Sequence, residues 1–336
     1  MKHTALRIAL GALVMGTLSH SAVAANEKIT LMVGGMEKQI YLPAKLAEQL
    51  GYFKEQGLDV ELLNEPAGVD AENELIAGQV QGVVGFYDHT IDLQSKGKVI
   101  ESVVQFSHTP GEVELISSKL ADTIKSPADL RGKTLGVTGL GSSTNFLTQY
   151  LAVSHGVPVS EITSLPVGAG NTFIAALKQG KIDGGMTTEP TISRLLKTGD
   201  AKVLVDLRSP ESTQKWLGGL YPAASLYMQT TWVNAHKATT QKLANAFVKT
   251  LRYISTHTAE ELTANMPADY YAGDRDSYVK ALAVGKVSFI PNGRMPESGP
   301  PTVLKVLAAY DKGLKGRNID LSKTYTTEFV SAVPTN

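Results

Sequence analysis

Cysteine is absent from the 336-residue chain. That excludes a disulfide framework, a thiol nucleophile, a thiolate metal site and a lipid-anchoring cysteine. An excess of charge is absent too: Lys plus Arg number 32 and Asp plus Glu 32, for a formal net charge of zero. A nucleic-acid partner is therefore not expected. No apolar run has the length of a bilayer span. The glycine loops lack the residues that would make them nucleotide sites. Ser142 follows Gly141 where a Walker loop needs Lys before the helix, and the strand 162–167 ends in Gly168 where a dinucleotide fold needs an acid. Asn145 stands where a nucleophile elbow needs its last Gly. Among the seven histidines, His89, His108 and His155 lack the spacing of a metal site. No metal and no cofactor is expected.

What is present begins with an export signal. Lys2, His3 and Arg7 precede the apolar run 8–18, and Ala22-Val23-Ala24 supplies small residues for cleavage after Ala24 or Ala25. Residues 1–25 are therefore expected to be removed from an exported, soluble protein, periplasmic in a Gram-negative cell.

Strands then alternate with helices. Runs 28–33, 58–62 and 81–86 suit strands, with amphipathic helices over 39–51 and 69–77 between them. The plan repeats about a hundred residues later. Leu75-Ile-Ala-Gly78-Gln-Val80-Gln-Gly82 is echoed by Leu177-Lys-Gln-Gly180-Lys-Ile182-Asp-Gly184, and Glu65-Pro66-Ala67-Gly68 by Leu165-Pro166-Val167-Gly168. A repeat with 43% hydrophobic residues predicts two α/β lobes, each a mostly parallel sheet flanked by helices. Segments 103–111 and 220–228 are the expected crossings. They assign 26–112 and 221–336 to lobe I and 113–220 to lobe II.

The most informative stretch is 133–155. A strand, Lys133 to Thr138, runs into Gly139-Leu140-Gly141-Ser142-Ser143-Thr144 and then a helix. Free N–H groups of a helix start carry partial positive charge, which with three hydroxyls suits a small carboxylate, sulfonate or phosphate. Plain N-capping explains the same residues. In parallel sheets ligands sit beyond the carboxyl ends of the strands. That rule selects Gly35 and Met36, Phe86 to Asp88, Ser142 to Thr144, Asn171, and Thr188 with Glu189 as candidate ligand positions. Asp88 and Glu189 form a conceivable acid and base pair, though each also suits a hydrogen bond to ligand or loop. Phe86 and Tyr87 suit either stacking on a planar ligand or simple core packing.

Gly51-Tyr52-Phe53, Gly57-Leu58-Asp59-Val60, Ser126-Pro-Ala-Asp-Leu130-Arg-Gly132, Gly136-Val137, Gly141 to Thr144, Ile182-Asp183, Glu189-Pro190 and Pro291-Asn292-Gly293-Arg294-Met295-Pro296 together resemble the periplasmic binding proteins of nitrate, sulfonate, taurine and thiamine-precursor ABC importers. The resemblance implies a type II two-lobed receptor that closes on a small solute and delivers it to a membrane permease driven by a cytoplasmic ATPase. Carried over, its ligand positions are the Met36 loop, Phe86 to Asp88, Ser142 to Thr144 and Thr187 to Glu189; a monomer is expected. That family includes yeast-type pyrimidine synthases with a cysteine-rich segment. The lack of cysteine here, together with the export signal, carries the expectation that the chain is not an enzyme. An anionic organic solute is the first expectation. A pyrimidine or other planar heterocycle is an alternative, as are an exported enzyme and a partner that presents its ligand to a sensor.

Overall fold

The computed structural model describes residues 26–334 apart from 272 and 312. The predicted signal segment, 1–25, lies outside the described residues. Ten strands follow one another as β1 (Glu27–Val33), β2 (Leu58–Asn64), β3 (Gly82–Phe86), β4 (Ile100–Gln105), β5 (Glu112–Ser117), β6 (Thr134–Val137), β7 (Thr163–Pro166), β8 (Gly184–Thr188), β9 (Ala201–Asp206) and β10 (Ala224–Gln229). They form two five-stranded sheets, in the orders β2-β1-β3-β10-β4 and β7-β6-β8-β5-β9.

Each sheet is mostly parallel for the reason the alternation implies: helices return the chain to the same edge. β1 pairs parallel with β2 and β3, and β6 with β7 and β8. One strand in each sheet runs the other way. β10 enters sheet one antiparallel to β3 and β4, and β5 enters sheet two antiparallel to β8 and β9. Both follow directly on a crossing from the other sheet. A chain that arrives at the carboxyl edge can only run back down.

The internal repeat is exact enough to fix register. Leu31 pairs with Gly82 in sheet one and Leu135 with Gly184 in sheet two, so the two repeated glycines open equivalent strands. Even the irregularity recurs, with register shifts between Leu226 and Tyr227 in β10 and between Glu114 and Leu115 in β5.

The crossings lie over 106–111 and 207–223 and are stitched together. The Gly111 N–H donates to Leu207 O at 3.1 Å, and the Phe106 N–H to Ala224 O at 2.7 Å. The return crossing is thus longer and earlier than the sequence pattern indicated, because 224–228 becomes a sheet strand.

The core is unequally shared. The helix Lys237–Thr256 lays Leu243, Phe247, Val248 and Leu251 on sheet one. Phe247 sits between Phe53 at 5.3 Å and Phe106 at 4.9 Å, ring centre to ring centre. Burying one such ring stabilises by roughly 1.5–3 kcal/mol. Sheet two carries two smaller clusters, around Phe173 and around Leu135. No helix among the described residues is long and apolar enough to cross a membrane.

Candidate functional site

The carboxyl ends of β1, β3, β6 and β8 converge between the sheets. The helix Ser143–Ser154 begins there because Phe146, Leu147, Tyr150 and Leu151 bury one face, while Gly156 (φ +77°) lets the chain turn away at the far end. His155 Nδ1 reaches Leu151 O at 2.8 Å, the favourable partner of a helix C-terminus. From lobe I the helix Gly68–Ile76 points its own first residue into the same space.

An inner chamber results, lined on the lobe I side by Lys38, Tyr41, Gly68 and Phe86 and on the other by Glu112, Thr138, Ser143, Thr144 and Thr188. At about 10 Å³ it has room for roughly one water. Lys38 also borders an outer chamber of about 320 Å³, which Asn171, Glu189, Arg194 and Tyr270 help to line. That volume falls in the range of small-molecule sites.

Lys38 is the cation of the inner chamber. Its Nζ donates to Gly34 O at 2.6 Å and Pro66 O at 3.2 Å, leaving one of three N–H donors. Gly35 makes this possible, since its φ is +110° and a Cβ there would lie 2.3 Å from Lys38 Cε. Burial lowers the Lys38 pKa against the opposing pull of Glu37, Glu112 and Asp70. Glu112 is pushed well up by burial and by the nearby Asp88. Asp88 rises by burial too, held back by His89 and by two hydroxyls.

Those hydroxyls join the halves of the molecule. Ser143 Oγ donates to Asp88 Oδ1 and Tyr221 Oη to Asp88 Oδ2, both at 2.8 Å. The Val69 N–H donates to Ser142 Oγ at 3.3 Å, and the Gln39 N–H to Glu189 O at 3.1 Å. The lobes are closed on each other. Thr144 Oγ1 accepts from the Thr138 N–H at 3.0 Å, whereas the backbone N–H groups of Ser143 and Thr144 have no partner among the described residues.

The expected site residues therefore divide. Phe86, Ser143, Thr144 and Thr188 line the inner chamber, and Asn171 and Glu189 the outer one. Phe86 meets Tyr41 edge to face at 6.1 Å. Asp88 lies beneath as a tie. Glu189 is paired with Arg208 Nη1 at 2.9 Å and accepts the Ser193 N–H at 3.0 Å, and Asn171 Oδ1 accepts from Arg194 at 2.6 Å. Besides Asp88, four positions lie outside both linings. Tyr87 turns into the lobe I core, where it donates to Thr324, whose own hydroxyl serves Leu321 O. Ser142 is taken by Val69. The Met36 N–H donates to Asn64 Oδ1 at 2.7 Å while its side chain packs on the core. Gly35 serves as the floor under the Lys38 stem.

Lys38, Tyr41 and Glu112 were not picked out by sequence. Lys38 falls just before the helix expected over 39–51. Glu112 did leave a signal: with Glu114 it places two acids at alternate positions of a strand that also holds Val113, Leu115 and Ile116, and all six residues of that strand are buried.

Residues 41–261 match the family described as NMT1/THI5 like. The chain is 29% identical over 167 residues to the 4-amino-5-hydroxymethyl-2-methylpyrimidine phosphate synthase THI13 of Saccharomyces cerevisiae, covering 49% of this chain and 47% of that one. The chain thus spans about half the length of the curated relatives it matches. Among solved structures, a protein of Bordetella bronchiseptica RB50 superposes with a TM-score of 0.87 at 34% identity, covering 90% of this chain and 96% of that one. The alkanesulfonate-binding protein SsuA of Xanthomonas axonopodis pv. citri, bound to MOPS, does so with a TM-score of 0.69 at 18% identity, covering 90% and 99%. The fold is that of the two-lobed periplasmic binding proteins. The synthase relatives overturn the expectation that the chain is not an enzyme. That expectation rested on the missing cysteines and the export signal, and the similarity runs across the division they were taken to mark.

Proposed function

The chain belongs to the NMT1/THI5-like family, and on that premise we propose that it is the exported solute-binding component of an ABC importer, capturing a small organic solute with an anionic end between its lobes. The observation that carries this reading is the meeting of two helix starts and one ammonium at the inner chamber: the unpartnered Ser143 and Thr144 N–H groups, Gly68 opposite, and Lys38. Each charge-assisted hydrogen bond to an anionic oxygen is worth roughly 1.5–3 kcal/mol. The solute enters when the lobes part, since the inner chamber between closed lobes holds about one water. Its head meets Lys38 and the lobe II helix start, and the rest extends toward the outer chamber. Contacts made to both lobes exist only after closure, and that difference drives the population toward the closed form. The closed receptor then hands the solute to an inner-membrane permease powered by its ATPase, working as a monomer.

Calorimetry of the purified chain against small carboxylates, sulfonates and phosphonates tests this. Lys38→Met is expected to weaken binding about tenfold or more. Binding confined to solutes without an anionic group, indifferent to Lys38→Met, would defeat the proposal.

A second reading is favoured by the names of the curated relatives and by the Phe86 and Tyr41 rings at the chamber wall. Here a pyrimidine lies between the lobes and is chemically transformed. Mass spectrometry of an aminopyrimidine incubated with the protein checks it: a changed mass supports turnover, and unaltered pyrimidine rejects it.

A further inference from the structure

The inner chamber has a second wall that an anion does not satisfy. Glu112 opens β5 and Thr188 closes β8, and the two are direct cross-strand partners. Opposed residues of an antiparallel pair emerge on the same face, side by side, and both of these line the chamber. They are 2% and 3% exposed. Glu112 Oε2 and Thr188 Oγ1 are buried with no hydrogen-bond partner among the described residues. An ionised carboxylate and a hydroxyl both accept hydrogen bonds, and in the closed form neither oxygen has a donor from the described residues. Lys38 does not supply it: two of its N–H groups go to Gly34 O and Pro66 O, it makes no hydrogen bond to either oxygen, and its remaining N–H is the one the anionic end takes. Asp88 does not either, since both its oxygens accept from hydroxyls. Across the chamber Phe86 offers only ring surface, and the Tyr41 phenol makes no hydrogen bond to either oxygen.

We propose that Glu112 and Thr188 are the specificity-determining pair of the cleft: among solutes with an anionic end, they select those that also carry an N–H donor, an amine or an amino-substituted ring. This rests on the anion-end reading above. The anionic end meets Lys38 and the Ser143 and Thr144 N–H groups, while the nitrogen gives its hydrogens to Glu112 Oε2 and Thr188 Oγ1. A solute without the nitrogen leaves both oxygens unpaired when the lobes close. A site built to receive a donor rejects the analogue lacking it more strongly than an apolar pocket rejects a missing methylene.

Titration calorimetry of the full purified chain with matched pairs tests the assignment: propanoate and 3-aminopropanoate, methylphosphonate and aminomethylphosphonate, benzoate and 4-aminobenzoate. The amino member of at least one pair is expected to bind about tenfold tighter. Glu112→Gln abolishes that advantage, Thr188→Val reduces it, and Glu112→Asp, which keeps the carboxylate, retains part of it. Equal binding within every pair, or an advantage that survives Glu112→Gln, overturns the inference. If unsubstituted acids bind in a Lys38-dependent way with no preference for the amine, the anion-end reading stands and this one falls. If no acid binds, or binding ignores Lys38→Met, both fall together. Thermal melting of each variant shows that its fold is kept, and Glu112→Asp carries the test should Glu112→Gln fail to fold.

Discussion

In sheet one Phe86 lies opposite Ala224, and at the equivalent position of sheet two Thr188 lies opposite Glu112. Two residues further along the reversed strands, Leu226 in lobe I corresponds to Glu114 in lobe II. The scaffolds agree down to the register shift, yet lobe I fills these places with hydrocarbon and lobe II with two buried acids. Repetition has preserved the backbone and let the chemistry diverge. Lobe I compensates with a charge of its own one layer deeper. His89 Nδ1 lies 2.6 Å from Glu72 Oε2 with both side chains buried, a charge pair in the interior. Thus each half stores ionisable groups in its interior, paired in lobe I and largely unpaired in lobe II.

The largest expected effect comes from breaking the lobe I pair. Glu72→Gln leaves His89 without its partner and is expected to cost about 3 kcal/mol or more at pH 6, measured by urea unfolding. Burial alone would lower the His89 pKa, but Glu72, Asp88 and Asp92 raise it to about 9. The folded chain therefore keeps this proton after the unfolded chain has released it. Its stabilisation is complete below about pH 6.5 and is lost as pH climbs through about 9. An unfolding free energy that is flat over that interval in the wild type would contradict the pairing.

Next comes the tie between halves. Asp88→Ala strands the hydroxyls of Ser143 and Tyr221, with an expected loss of about 2–4 kcal/mol and a more open average shape by small-angle scattering. Unchanged compactness would mean that the lobes are held closed by other contacts.

A gain is expected in lobe II. Burial raises the Glu114 pKa to about 8, against the hydrogen bond from Thr148 at 2.7 Å. The folded state thus holds a proton that the unfolded chain gives up near pH 4.5, and the associated stability declines from about 4.5 to about 8 and is flat beyond. Glu114→Gln keeps the Thr148 bond, removes that decline, and is expected to add about 1–3 kcal/mol at pH 8.5 in thermal or chemical unfolding. A loss instead would show that the acid has a donor. The smallest effect belongs to Thr188→Val. Its unpartnered hydroxyl is exchanged for a methyl of the same shape, so stability is expected to hold steady or rise by about 0.5 kcal/mol.

Much of this frame was visible in the order of residues. The glycines at 82 and 184 marked equivalent strands because a helix stop followed by a buried strand is a local pattern. The rule about strand ends led to Phe86, Ser143, Thr144 and Thr188 for the same reason. What stayed hidden depends on distant partners. Tyr87 sits beside Phe86 in sequence, but its orientation is set by Thr324, 237 positions away. Glu189 looked available until Arg208, on the return crossing, was brought beside it. Lys38 is indistinguishable by type from a solvent-facing lysine, and only the two carbonyls folded over it make it an interior cation. Glu112 was legible in principle, since acids alternating with valine and leucine in a six-residue strand have to face something.

The placement of β10 carries a consequence in time. All five strands of sheet two fall within one unbroken stretch, 112–206, so that half is able to assemble from its own segment of chain. Sheet one is different: between β3 and β4 it keeps a gap that is filled only by residues 224–229, more than a hundred positions downstream. Long-range strand insertion of this kind is slow, and it leaves edges unpaired in the interim. The earlier-synthesised half is therefore the later one to be finished.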